Sequence, residues 1–267
     1  MRLALRLALG LTLLNAAPAT AQEPKAPAVS PEAKARLDAL IAAYRALPAY
    51  ADHGEVTLVV KVGDRELKQV QAASIAFARP NKLDVRTNLV RVVSDGSTVT
   101  SSVAPLKKYR VEPAPRKFAE SSFRSGPLGS VEFGGIAGLP LVHALSLAIG
   151  DDPRRLIEDF SPRILVEPDR EVEGVAYHVL RLDESDNHDW RYLIDPKTGL
   201  LAAIELVVEG DALKSSIAGG STHVESLRWF PGAISTEVPG ADTFAFKPEP
   251  GFTPIGKLEA APAAKAE

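Results

Sequence analysis

The chain changes its hydrophobic period several times. Residues 31–47 place Leu37, Leu40, Ile41, Tyr44 and Leu47 at helical spacing, which predicts an amphipathic helix. Ser30 suits its N-cap, Pro31 its first position and Glu32 its positive end, and Pro48 cannot continue it. The period then falls to two. Val56, Leu58, Val60 and Val62 alternate with Glu55, Thr57, Val59 and Lys61, the pattern of a strand. Gly63-Asp64 turns the chain into a partner strand through Leu67, Gln69 and Phe77. Strands follow at 83–87 and 89–94. Asp95-Gly96 is a hairpin signal, with a returning strand at 98–103 and a short one at 108–111.

From 113 to 160 the strand pattern disappears, and Gly126, Gly129, Gly134, Gly135 and Gly138 interrupt the chain. Residues 139–149 form a short apolar segment that predicts a helix ending at Gly150. Asp151-Asp152-Pro153 opens another, with Leu156, Ile157 and Phe160 as its apolar side. Strands rich in β-branched and aromatic residues resume at 163–166, 172–182, 190–194 and 200–208, then at 223–229 and 244–246. Asp195-Pro196-Lys197-Thr198-Gly199 is a turn between two of them. The order is helix, strands, helical insert, strands. It predicts a mainly β (α+β) fold: a curved antiparallel sheet forming an incomplete barrel, with an N-terminal helix and a helical lid or plug. The helices either plug the mouth over an apolar ligand site or complete a dry core. The pattern supports both.

Composition adds location and excludes several chemistries. Met1-Arg2-Leu3-Ala4-Leu5-Arg6 precedes an apolar run to Leu14 and the small-residue site Ala19-Thr20-Ala21. That is the layout of a cleaved secretory signal peptide, too short for a spanning helix. The expected organisation is signal peptide 1–21, flexible leader 22–30, one domain over 31–259 and a disordered tail over 260–267. Removing Arg2 and Arg6 from the 31 basic residues leaves 29 against 34 acidic ones, a net charge of −5. This balance argues against nucleic acid as a partner. The absence of cysteine excludes disulfides, thiolate catalysis and lipid attachment through cysteine.

Two motifs stand out: Arg79-Pro80-Asn81 at one strand end, and Ser94-Asp95-Gly96 at another. With Phe244-Ala245-Phe246-Lys247-Pro248-Glu249-Pro250-Gly251 and the N-terminal amphipathic helix, they resemble the LolA/LolB family of outer-membrane lipoprotein carriers. The nearer likeness is to its uncharacterised LolA-like periplasmic branch. The resemblance implies a periplasmic, non-enzymatic carrier sheltering a lipid or acylated protein in a half-barrel cavity, with an inner- or outer-membrane protein to deliver or receive it. It also implies that Arg79 latches the lid. A guanidinium with five donors is suited to the open carbonyls at helix ends. On this basis Leu139, Leu141, Val142 and Leu145 are expected on the lid, and Phe77, Leu83 and Val85 on the wall. The alternative function is an envelope-stress sensor that binds a protein partner through the same fold.

The residues offer little else. His53, His143, His178, His188 and His223 include no pair spaced for a metal on one helix, and Asp186-Asn187-His188-Asp189 reads as a turn. Asp151/Asp152 and Asp183/Glu184 are adjacent carboxylates, which on a strand point to opposite faces. Ser94 lacks the glycine frame of a nucleophile elbow, and no phosphate or dinucleotide motif is present. Lys107, Lys108 and Arg110 beside Tyr109 read as a solvated strand end. No catalytic residue, cofactor or metal is expected.

Overall fold

The computed structural model describes residues 29–183, 189–207, 214–217 and 220–255. Helix α1 (Pro31–Ala46) begins as its sequence requires: the Ser30 hydroxyl accepts from the Ala33 amide at 3.1 Å. It buries Ala33, Leu37, Leu40, Ile41 and Tyr44. The chain then runs as a meander through β1 (Ala49–Val62), β2 (Arg65–Ala78), β3 (Lys82–Thr87), β4 (Val90–Ser94), β5 (Thr98–Val103) and β6 (Lys108–Pro113). An insert follows, made of α2 (Glu120–Arg124), two 3-10 turns (Pro127–Phe133 and Gly135–Ala137), α3 (Gly138–Ile149) and α4 (Pro153–Phe160). Strands β7 (Arg163–Val172), β8 (Val175–Asp183), β9 (Trp190–Ile194), β10 (Leu201–Leu206), β11 (Lys214–Ile217) and β12 (Gly220–Phe230) return the chain to β1, and β13 (Thr253–Pro254) ends it.

These strands form a 13-stranded sheet in the order β13-β6-β5-β4-β3-β2-β1-β12-β10-β9-β8-β7, with β11 beside β12. Pairing is antiparallel except for β13 on β6. The two ends of the order are not joined, so the barrel is incomplete. The insert leaves from β6, near one end, and re-enters at β7, the other. It therefore crosses the mouth of the half-barrel.

Alternation along the strands decides what faces the helices. Tyr50 and Val56 of β1, Ile75 and Phe77 of β2, and Leu83 and Val85 of β3 join one core with Leu180, Trp190, Tyr192, Ile204 and Trp229 from the second half. Helices α1, α3 and α4 pack against one another over this face. On the outer face of the second half, arginines and carboxylates alternate. Glu167 holds Arg191, Arg181 holds Asp183 and Asp189, and buried Glu205 holds Arg170 and Arg228.

Two expected strands differ. Residues 172–182 are not one strand: Glu173 and Gly174 take positive φ (52° and 78°) and fold β7 onto β8 as a hairpin. Residues 244–246 are not a strand either. Ala241–Phe244 is a 3-10 turn, and the segment beyond it carries Pro248 and Pro250, which cannot donate to a ladder. This segment instead crosses the outer face of β1 and β2. Ser235 bridges Ala51, and a Cβ at Gly232 would overlap the His53 carbonyl. Phe244, 3% exposed, packs on Ala49, Ala76 and Ala78. Phe244→Ala is expected to cost about 3 kcal/mol in urea unfolding, the usual loss for a buried Phe. It should also speed proteolysis within 231–255. An unchanged cleavage pattern would show that this anchor does not hold the segment.

Candidate functional site: a latched helix over the concave sheet

The site is built where β2 ends. Asn81 begins the return into β3, and its amide nitrogen donates to the Gly96 carbonyl at 3.0 Å and the Pro115 carbonyl at 2.9 Å. The two sequence motifs therefore meet. Within the second motif Asp95 accepts from the amides of Ser97 (2.7 Å) and Thr98 (2.8 Å), which hold its carboxyl below the usual range. Ser94 Oγ accepts from the Gly96 amide at 3.3 Å. These side chains close a turn, and Gly96 supplies the positive φ (98°) it needs.

Arg79 spans further. Its Nε donates to the Leu47 carbonyl at 3.0 Å, and its Nη2 donates to the carbonyls of Tyr44 and Ala148, each at 3.0 Å. Tyr44 and Leu47 lie at the C-terminal end of α1, where the Tyr44 carbonyl also accepts from the Leu47 amide, and Ala148 at that of α3; at such ends carbonyls are left open to further donors and the dipole favours a cation. One guanidinium thus ties the two helix ends to the end of β2. It lies over the Phe77 ring at 5.4 Å. Burial, then the nearby Arg45 charge, lowers its pKa from the ordinary arginine value. Arg45 adds a second tie, donating to the Asp151 carbonyl at 3.1 Å.

Beneath Arg79 the rings stack in series. Phe77 lies 5.8 Å from Tyr50 at 11°, and Tyr50 lies 5.9 Å from Tyr44. The Tyr50 hydroxyl donates to Asp52 at 2.6 Å. Asp52 is 2% exposed, and burial pushes its carboxyl up from 3.8 to about 7. Helix α3 buries ten of its 12 residues, including Leu141, Val142 and Leu145. Leu139 is 48% exposed and points away from the core. The structure thus joins Phe77, Leu83, Val85, Leu141, Val142 and Leu145 in one apolar cluster and leaves Leu139 outside it. None of the six lines the described pockets, which open among residues such as His53, Arg86, Phe246 and Arg228. In this state the six side chains pack with those of the sheet and helices in one buried cluster.

His143 is buried in α3, its Nδ1 2.8 Å from the Tyr192 hydroxyl and its ring 4.9 Å from Trp190. Burial lowers its pKa to about 4, so the ring is neutral at pH 7. Among the described residues no cluster of metal-ligating side chains is found. The Asp186-Asn187-His188 turn lies outside them. Lys108 and Tyr109 serve the β13 edge: Lys108 donates to the Thr253 hydroxyl at 2.7 Å, and Tyr109 packs on Phe246 at 5.2 Å. Two residues without a motif also shape the site. Arg45 is one. Gln71 is the other, buried and donating its side-chain amide to the Gly134 carbonyl at 2.5 Å, which fixes the insert over β2. Among the described residues no helix is long and apolar enough to cross a membrane.

The chain is a half-barrel with a helical insert held across its mouth, and several solved structures are similar to it. They include an uncharacterised conserved protein from Thermus thermophilus (6% identity, 84% of this chain and 98% of that one, TM-score 0.43). A LolA superfamily protein from Nitrosomonas europaea is similar at 9% identity over 80% of this chain and 97% of that one, TM-score 0.32. MucB is similar at 12% identity and TM-score 0.36, over 82% of this chain but 64% of MucB's own length. No family model and no curated protein sequence matches the chain. Likenesses this distant leave function to be read from the chain's own geometry.

Proposed function

We propose that this protein is a periplasmic carrier or binding protein that shelters a lipid or acylated protein between the helical insert and the concave sheet. The observation that supports this most is the Arg79 tie. Three hydrogen bonds from one side chain join both helix ends to the sheet, so one residue restrains α1 and α3 together. Release would expose Phe77, Leu83 and Val85 on the sheet and Leu141, Val142 and Leu145 on the helix. An acyl chain entering that space gains about 0.8 kcal/mol per buried CH₂. Affinity is the difference between this gain and the helix–sheet contacts given up. The segment 1–21 provides export.

Native mass spectrometry of protein purified from its native host, with lipid extraction, tests the proposal. A stoichiometric acyl-bearing ligand is expected. A clean apo mass, with no uptake of added lipid or lipopeptide, would overturn it. The packing of α1, α3 and α4 over the sheet favours one second reading, a regulatory protein that binds a protein partner through its outer surfaces. Crosslinking to a membrane protein in the absence of any bound lipid is its expected signature.

A further inference from the structure

Strand β2 is longer than the neighbour on its outer side. It pairs with β1 from Arg65 to Ala78, but with β3 only from Ala73 to Ala78. Among the described residues no strand pairs with 65–72 on that side, so they present a free edge of backbone donors and acceptors, an invitation to strand pairing. Every residue from 61 to 70 is exposed, with Leu67 at 56% and Val70 at 48%. Charged residues on an edge normally deter an incoming strand, and Arg65, Glu66 and Lys68 deter most.

Their order makes an exception for a second copy of the same strand. Laid antiparallel about Leu67, the edge places Glu66 opposite Lys68 of the second copy, and Lys68 opposite its Glu66. Leu67 meets Leu67, and Arg65 meets Gln69. Moving the centre by one residue either way sets Glu66 against Glu66 or Lys68 against Lys68. Directly opposed unlike charges stabilise a strand pair and like charges destabilise it, so the sequence selects one register. The β1–β2 hairpin turns at 63–64, and an antiparallel partner places its own body beyond that tip.

We propose that the free edge of β2 is a homodimerisation surface, on which two copies pair antiparallel through residues 64–70 about a two-fold axis at Leu67. Sedimentation velocity over a wide concentration range tests it on the wild type, Glu66→Lys, Lys68→Glu and the double swap. The wild type is expected to form a concentration-dependent dimer. Each single swap opposes like charges at both ends of the pairing and should weaken the dimer about tenfold or more. The double swap restores opposite charges and should recover it. Both swapped positions are exposed, and circular dichroism will confirm that the variants fold. A wild type that stays monomeric up to millimolar concentration overturns the proposal. So does a dimer indifferent to the single swaps, or single-swap losses that the double swap does not rescue.

Discussion

Replacing Asp52 by Asn is expected to stabilise the protein strongly at pH 8 and by well under half as much at pH 5. Asp52 lies on the concave face of β1, 2% exposed, beside Tyr44 and Tyr50. Burial raises its carboxyl to about 7, and the Tyr50 hydroxyl and Ile75 amide only partly offset that rise. Burial also raises the pKa values of Tyr44 and Tyr50, which stay neutral throughout this range.

The sign follows from proton counting. Between pH 4 and pH 7 the unfolded chain has released this proton and the folded chain still holds it. Stability therefore falls as pH rises across that window and levels off above the folded pKa. A rise from 3.8 to about 7 corresponds to about 4 kcal/mol at ~1.36 kcal/mol per unit. Asparagine keeps an oxygen to accept from Tyr50 and carries no charge at any pH. Urea unfolding at pH 5 and pH 8 on both proteins measures the effect. Equal pH dependence in the two would show that Asp52 is ionised in the folded state at little cost.

Much of the architecture could be read from the sequence because local patterns and the global fold agree. Helix α1 was visible from its stripe and cap, and β1 from strict alternation. The turn at Asp95-Gly96 was visible because those residue types suit its backbone. The missed hairpin between β7 and β8 turns on Glu173-Gly174, a pair without the usual Asn or Asp, flanked by Val172 and Val175, which read as strand residues on both sides. The C-terminal segment misled because Phe244 and Phe246 alternate like strand residues. Burial against the small side chains Ala49, Ala76 and Ala78 satisfies Phe244 without any ladder.

The site was legible where it had a motif and obscure where it depended on long-range placement. Arg79 could be singled out by its neighbours in sequence. Arg45 and Gln71 could not, since their partners lie 106 and 63 residues away and any arginine or glutamine can serve. Leu139 and Leu141 have the same side chain and the same local composition, yet one is 48% exposed and the other fully buried. A helix apolar on nearly every side gives no stripe from which its outward face can be read.

Replacing Arg79 by Leu is expected to loosen the helical layer while the sheet keeps its fold. The substitution removes three charge-assisted hydrogen bonds, leaving the carbonyls of Leu47 and Ala148 to water and that of Tyr44 with the Leu47 amide. Because the side chain is partly exposed, solvent compensates for much of that loss, and about 2 kcal/mol is expected to remain. Amides of α3 that exchange through local opening should then exchange about thirtyfold faster, while those in β8 and β9 keep their protection. Arg79→Lys separates charge from shape. An ammonium restores a cation at the helix ends but cannot donate to three carbonyls held apart by a planar fork, so it should recover only part of the protection. If all three proteins protect α3 equally, the insert is held by its apolar contacts alone, and Arg79 does not gate the space beneath it. If α3 loosens and acyl-ligand uptake becomes faster in the leucine variant, opening of the latch limits entry.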